Sequence, residues 1–179
     1  MCTVSVIALP PSPASPRATG FRVVCNRDEQ RDRPRAIPPA WRDAGPTRDG
    51  SALRTVWPMD PVGEGTWIAA SSRGLVLSLL NLNLDPAPLP PLMARSRGAI
   101  IPSLLRASDA RAALHALRQQ DLESFAPFRL LAVDAFAGTH AAPPGGLPRV
   151  GVARWDGAFL EAMPLAEAWP LSALVALPN

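Results

Sequence analysis

A cysteine directly after the initiator methionine is the residue of this chain best suited to covalent chemistry. Once Met1 is removed, Cys2 carries a thiol and a free α-amine on the same residue. A thiol has an unperturbed pKa of about 8.5 and an α-amine of about 7.7 to 8.0, so the amine can accept the thiol proton near neutral pH. That pairing is the basis of N-terminal-nucleophile hydrolysis, in which the chain's own amine is the general base.

A polar tetrapeptide, Asn26, Arg27, Asp28 and Glu29, is the second group of residues that could do chemistry. Its carboxylates and amide could hold an amine or a substrate near Cys2. Asparagine and aspartate are also common where a strand ends in a turn, and arginine beside carboxylates forms ordinary surface ion pairs. Both interpretations stay open from the residues alone.

A hairpin of two strands must bring these groups together. The β-branched run 3–9 and the apolar run 21–26 predict strands, and prolines fill the connection between them. The pairing would place Cys2 beside the tetrapeptide only in a suitable register, which the sequence does not fix.

The rest of the chain alternates between apolar runs and proline-rich segments. A nearly continuous apolar run at 75–81 predicts a strand covered on both faces. Segment 27–50 predicts a long irregular loop and segment 57–61 a turn. Ser108 is a good N-cap for the second helix. The further predicted strands are 66–70, 128–134, 149–155 and 158–163, and the predicted helices are 95–107 and 109–120.

Strands therefore dominate, with helices grouped in the middle, which predicts an α+β fold with mainly antiparallel sheets. The 179 residues, 47% of them hydrophobic, are enough for a single domain over 1–179. No apolar run approaches the roughly 20 residues of a membrane span, and the start has no basic region typical of a secretory signal. We expect a cytoplasmic protein.

Charge and metal signatures are weak. The net charge is only +3, and acidic residues are interleaved with the arginines, so a nucleic-acid partner is not expected. The two histidines, His115 and His140, have no metal-site spacing. No resident metal or cofactor is predicted.

Four motifs occur in order along the chain: Met-Cys-Thr at 1–3, Asn-Arg-Asp-Glu at 26–29, Gly-Thr-Trp-Ile-Ala at 65–69 and Ser-Arg-Gly at 96–98. Together they resemble the NRDE family, also called the transport and Golgi organisation family. The resemblance continues more weakly through later strands. Four motifs in this order, with the cysteine at position two, are a rather specific signal.

That family is similar to the cysteine-type N-terminal-nucleophile hydrolases, which include the bile-salt and penicillin V acylases. The resemblance implies an αββα sandwich of antiparallel sheets with a shortened C-terminal part. It implies that Cys2 is the nucleophile and that Asp28 holds its amine, with Asn26 two residues before it. Asn81, rather than Asn83, would be the asparagine that donates to the oxyanion.

The chain departs from the acylase pattern at one site position. Cys25 stands where those acylases carry an arginine. Arg27, close by, could supply the positive charge from another direction.

Three functions follow as alternatives. The first is an amide or thioester hydrolase or acyltransferase that uses Cys2 on a small acyl-containing substrate. The second is a non-catalytic haem or acyl-CoA/lipid binding and trafficking protein, in which arginines of segment 27–54 meet propionates or phosphates. Haem would then be a bound ligand, with a histidine as a candidate axial ligand. The third is a family member with only a structural or interaction role.

Overall fold

The computed structural model describes residues 2–9, 20–26, 32–47, 50–88, 94–134 and 148–164. Strands account for 49% of the described residues and helices for 13%. All strand pairs are antiparallel. The strands are β1 (Thr3–Leu9), β2 (Gly20–Asn26), β3 (Ile37–Pro46), β4 (Ala52–Met59), β5 (Ile68–Ser71), β6 (Leu75–Asn81), β7 (Phe128–Asp134), β8 (Arg149–Trp155) and β9 (Leu160–Pro164). The helices are a 3₁₀ turn (Arg97–Ala99), α1 (Ile100–Leu104) and α2 (Ala110–Arg118).

The strands form two sheets. Strands β1 and β2 form a two-stranded sheet, and β3 to β9 form a seven-stranded sheet in which every strand neighbours the next one in the chain. Among the described elements, no helix is long and apolar enough to cross a membrane.

The expected αββα sandwich, and with it the α+β class, is wrong. The described part of the chain is mostly antiparallel β-sheet. A sandwich of that type needs helical layers outside both sheets, whereas the described helices α1 and α2 pack against strands of the seven-stranded sheet. The first predicted helix is also much shorter than expected, because its segment divides into a 3₁₀ turn and a five-residue helix.

One face of the seven-stranded sheet packs against the helices. Leu75, Leu77 and Leu79 alternate along β6 and are buried against residues of α1 and α2. This is the two-residue period of a strand with one face in the core. Fully burying one such side chain stabilises the fold by about 1.5–3 kcal/mol.

The opposite face packs against the two-stranded sheet. Val4 and Val6 of β1 are buried against Leu80, Leu131 and Val133 of β6 and β7. Both faces of β6 are therefore covered in this region, as predicted. This contact fixes where the N-terminus lies.

Strand β3 lies within segment 27–50, which was predicted as a loop, and the last three residues of β4 lie within segment 57–61, which was predicted as a turn. The prolines Pro38, Pro39 and Pro46 misled that prediction, because proline lacks the amide that a central strand needs. Strand β3 lies at the edge of its sheet, and edge strands tolerate proline.

Helix α2 is positioned by a buried carboxylate. Asp109, rather than the predicted Ser108, is the N-cap, and its side chain accepts a hydrogen bond from the amide of Ala112. Asp134, at the end of β7, accepts a second bond from the amide of Ala110 at 2.6 Å. Its other oxygen accepts a hydrogen bond from Arg149 at 2.8 Å.

Candidate functional site

A cavity of about 280 Å³ brings the N-terminus together with the seven-stranded sheet. Its walls come from the start of β1, the end of β2, the end of β6, the loop before β5 and the 3₁₀ turn. Its volume is close to the lower limit of the range for small-molecule sites, which is about 300 Å³. The pocket thus draws on both sheets, and several of the motifs that carry the family resemblance line it.

Cys2 lies at the wall formed by the two-stranded sheet. Val4 pairs with Cys25 in the register of that sheet, so Cys2 is a diagonal neighbour of Cys25 on the same face. Both cysteines are half-buried, pack on the apolar cluster of Val4 and Val6, and form no disulfide. The strand alternation therefore directs the Cys2 side chain inward rather than to bulk solvent.

Asn81 lies in the same pocket as Cys2. It is the last residue of β6 and pairs with Phe128 of β7, which fixes its backbone. Its side-chain amide is a hydrogen-bond donor of the kind that stabilises oxyanions. Asn83, two residues further on, is not one of the residues that line the pocket.

The tetrapeptide motif is only partly described. Asn26 ends β2, pairs with Thr3 and is exposed, and it is not among the residues that line the pocket. Arg27 and Asp28 lie outside the described residues.

Two glycines from separate motifs touch at the pocket wall. The amide of Thr66 donates to the carbonyl of Gly98 at 3.1 Å, and a Cβ at Gly98 would lie 2.9 Å from the Cα of Gly65. Only a residue without a side chain permits this approach of two backbones. The contact explains physically why the third and fourth motifs meet.

Asp60 and Arg33 form a partly buried ion pair at the pocket wall. Partial burial raises the pKa of Asp60. The hydrogen bonds from Arg33 and from the amides of Val62 and Gly63 outweigh that effect, so the pKa lies below its ordinary value of 3.8. Asp60 is therefore ionised at neutral pH and fixes the loop that leads to Gly65.

Two further arginines, Arg95 and Arg97, line the pocket. Arg97 donates to the carbonyl of Pro127 at 2.8 Å, and burial lowers the pKa of its guanidinium. The guanidinium of Arg95 lies 5.0 Å from the ring centre of Phe125. The described ionisable lining, cysteines aside, is thus three arginines and one aspartate.

Several lining residues were not identified from the sequence as site residues. Arg33 belongs to the arginine-rich segment, which carries too many arginines to single one out. Arg97 lies within the Ser-Arg-Gly motif, the fourth of the four motifs, and that motif was the signal that could have identified it. Cys25 was interpreted as a buried strand residue and as a departure from the acylase pattern, not as part of a site.

No group of three or more histidine, cysteine, aspartate or glutamate side chains that could hold a metal ion occurs among the described residues. His115 is exposed on α2, and His140 lies outside the described part of the chain.

One family model matches the chain, and its match covers all four motifs. The model is that of transport and Golgi organisation 2, TANGO2, and the match runs over residues 1–142 of the 179. Among curated proteins, none matches the chain significantly.

Proposed function

Because the chain belongs to the transport and Golgi organisation 2 family, we propose that it is an N-terminal-nucleophile-type amide or thioester hydrolase or acyltransferase that acts through Cys2. The observation that supports this most is that Cys2 and Asn81, which are remote in sequence, line one pocket. A nucleophile and an oxyanion donor must both lie within reach of one carbonyl group.

The proposed reaction begins after removal of Met1. The α-amine of Cys2 accepts the thiol proton, and the thiolate attacks the acyl carbon. The carbonyl electrons move to oxygen, and the side-chain amide of Asn81 donates a hydrogen bond to that oxyanion. The intermediate collapses as the leaving amine or thiol takes the proton from the α-ammonium group.

The second half of the reaction releases the acyl group from the thioester on Cys2. The α-amine takes a proton from water, or from another acceptor, as that group attacks the thioester. The thiolate leaves and regains its proton. In this proposal Asp28 holds the α-amine in place, and Arg27 supplies nearby positive charge. Asn26 supports the end of β2 beside them.

Intact mass spectrometry tests the first requirement. We expect the mature protein to lack Met1, because cysteine is small enough for methionine aminopeptidase to act before it. If Met1 stays on all of the purified protein, the free-amine mechanism fails.

Acyl transfer is tested with a small chromogenic thioester and trapping of the acyl-enzyme by mass spectrometry. The wild-type protein should carry the acyl group on Cys2, whereas Cys2→Ala should carry none and lose turnover. Cys25→Ala is the matched control, because Cys25 lines the same pocket. Turnover that survives in Cys2→Ala would contradict the proposal.

A non-catalytic carrier of haem or acyl-CoA is the second candidate. The excess of arginine over aspartate in the pocket favours it, since both ligands are anionic. Titration with haem, followed by the Soret band, and titration with acyl-CoA, followed by calorimetry, test whether the protein is such a carrier. If the protein is a carrier, the wild-type protein and Cys2→Ala should bind the ligand with equal affinity, and neither should turn it over.

A further inference from the structure

The electrostatics of the pocket carry information beyond the nucleophile. Arg33, Arg95 and Arg97 line it together with a single described carboxylate, Asp60. Their formal charges leave an excess of two positive charges. Asp60 is paired with Arg33, so the excess is concentrated at Arg95 and Arg97.

Arg97 has donors to spare. A guanidinium carries five N–H groups and accepts nothing. The described partner of the Arg97 side chain is one carbonyl oxygen, that of Pro127, bound by a single terminal nitrogen. Desolvation of a half-buried guanidinium costs free energy when a single carbonyl is its described hydrogen-bond partner. An anion in the adjoining cavity would offset that cost.

Arg95 lies two residues before Arg97, just ahead of the 3₁₀ turn, and also lines the cavity. Its described side-chain contact is with the ring of Phe125, at 5.0 Å. Stacking on a ring holds the guanidinium plane while leaving the N–H edges available. The turn itself is held by the backbone contact between Gly98 and Thr66.

We infer that the pocket takes an acyl substrate that bears a carboxylate or phosphate group, and that Arg95 and Arg97 bind this group. The inference rests on the proposed function and adds the substrate class. Both oxyanions match the planar fork of a guanidinium, which is why the two share this recognition chemistry. Arg33 is not included in this anion site, because it forms an ion pair with Asp60.

The charge preference of Cys2 alkylation tests the anion site without requiring catalysis. Iodoacetate is anionic and iodoacetamide is neutral, and both alkylate the same thiol. The ratio of the iodoacetate rate to the iodoacetamide rate at Cys2, measured by peptide mass spectrometry, therefore reports the local charge. A change in the thiol pKa alters both rates equally and leaves the ratio unchanged. The ratio of the iodoacetate rate to the iodoacetamide rate should fall about fivefold in Arg95→Gln/Arg97→Gln, because each of the two unit charges, on the order of 8 Å away in a nearly aqueous dielectric, contributes about twofold.

The controls separate charge from folding. Arg111→Gln removes an exposed arginine of α2 outside the pocket lining and should leave the ratio unchanged. Arg95→Gln/Arg97→Lys keeps the positive charge at position 97 and should show only the roughly twofold fall of Arg95→Gln. If loss of the Arg97 bond to Pro127 unfolds the turn, Arg95→Gln alone still tests the inference with about a twofold fall. An unchanged ratio in the folded Arg95→Gln and double variants would overturn it.

Protection of Cys2 from iodoacetamide identifies the anion. Succinate and inorganic phosphate are compared at equal ionic strength, and the better protector indicates a carboxylate or a phosphate. Protection by neither would overturn the inference. The outcomes also separate the two proposals. If the alkylation ratio is unchanged in the arginine variants but Cys2 becomes acylated, only the proposed anionic substrate class is contradicted. A changed ratio without acylation removes only the hydrolase function.

Discussion

At the scale of single residues, the proposed chemistry depends on two side chains from different sheets. Cys2 lies on the two-stranded sheet and Asn81 on the seven-stranded sheet. Both roles are predictions that came from the family resemblance rather than from any property of the immediate neighbours of these residues. The arginines around them could not be ranked, because 18 of the residues are arginine and most resemble surface charges.

Replacement of Asn81 should slow catalysis without unfolding the protein. Asn81→Ala removes the proposed oxyanion donor, and kcat should fall about 10²–10³-fold. Asn83→Ala is the matched control, since Asn83 is also exposed but does not line the pocket. Steady-state kinetics on a thioester measure both. Equal rates for the two variants would remove Asn81 from the mechanism.

The pair of Asp60 and Arg33 should make the protein sensitive to acid. The folded pKa of Asp60 lies below 3.8, so its contribution to stability is fully present above the unfolded pKa and is lost as pH falls through the folded pKa. Asp60→Asn should lower the free energy of unfolding by about 1–3 kcal/mol at pH 7. Urea unfolding at falling pH should show this difference shrinking below about pH 4. A difference that stays constant with pH would contradict the assignment.

At the scale of elements, strand patterns were predicted well where apolar residues run unbroken. Strand β6 and the hairpin of β8 and β9 follow the predicted segments closely. Edge strand β3 was missed, because its prolines resemble a loop until its place at the sheet edge is known. The first helix was overestimated, because apolar residues around Pro102 fit a helix and a compact turn equally well.

The glycine contact at the 3₁₀ turn should tolerate no side chain. Gly98→Ala places a Cβ 2.9 Å from the Cα of Gly65, so backbone must move, and stability should fall by about 1–3 kcal/mol. At Gly20 a Cβ would lie 3.5 Å from Leu9, an ordinary contact, so Gly20→Ala should change stability little. Denaturant unfolding compares the two, and equal losses would exclude a special role for the contact.

Asp134 should anchor α2 to the sheet. Asp134→Ala removes the acceptor of the Ala110 amide and of Arg149, at a cost of about 1.5–3 kcal/mol. Asp121→Ala, at an exposed turn, should cost far less. Thermal or urea unfolding tells them apart. Similar losses would mean that the buried carboxylate adds nothing beyond an ordinary turn.

At the scale of the whole molecule, the family was predicted correctly from the sequence, whereas the arrangement of helices and sheets in layers was not. The motifs identified the family, which the family model confirms over residues 1–142. The αββα layers came only from the resemblance to acylases, and the described residues contain too little helix to form them. Motif residues fix local contacts such as Gly65 with Gly98, whereas layers depend on many residues outside any motif.

Docking of the two sheets should depend on one face of β7. Leu131 contacts β1, whereas its neighbour Leu130 faces the helices, and both are buried. Each change to alanine should cost about 2–5 kcal/mol. Only Leu131→Ala should speed hydrogen exchange in β1 and β2 under native conditions. Equal exchange in both variants would contradict docking through this face.

The absence of strand pairing between the two sheets has a consequence for how activity would be lost. Among the described strands, no strand pairing joins β1 and β2 to the larger sheet, and the apolar side chains of Val4 and Val6 pack between the two sheets. Such packing can open locally at a lower free energy than global unfolding. Mild urea should therefore abolish turnover before circular dichroism changes, and alkylation of Cys2 would follow that early step.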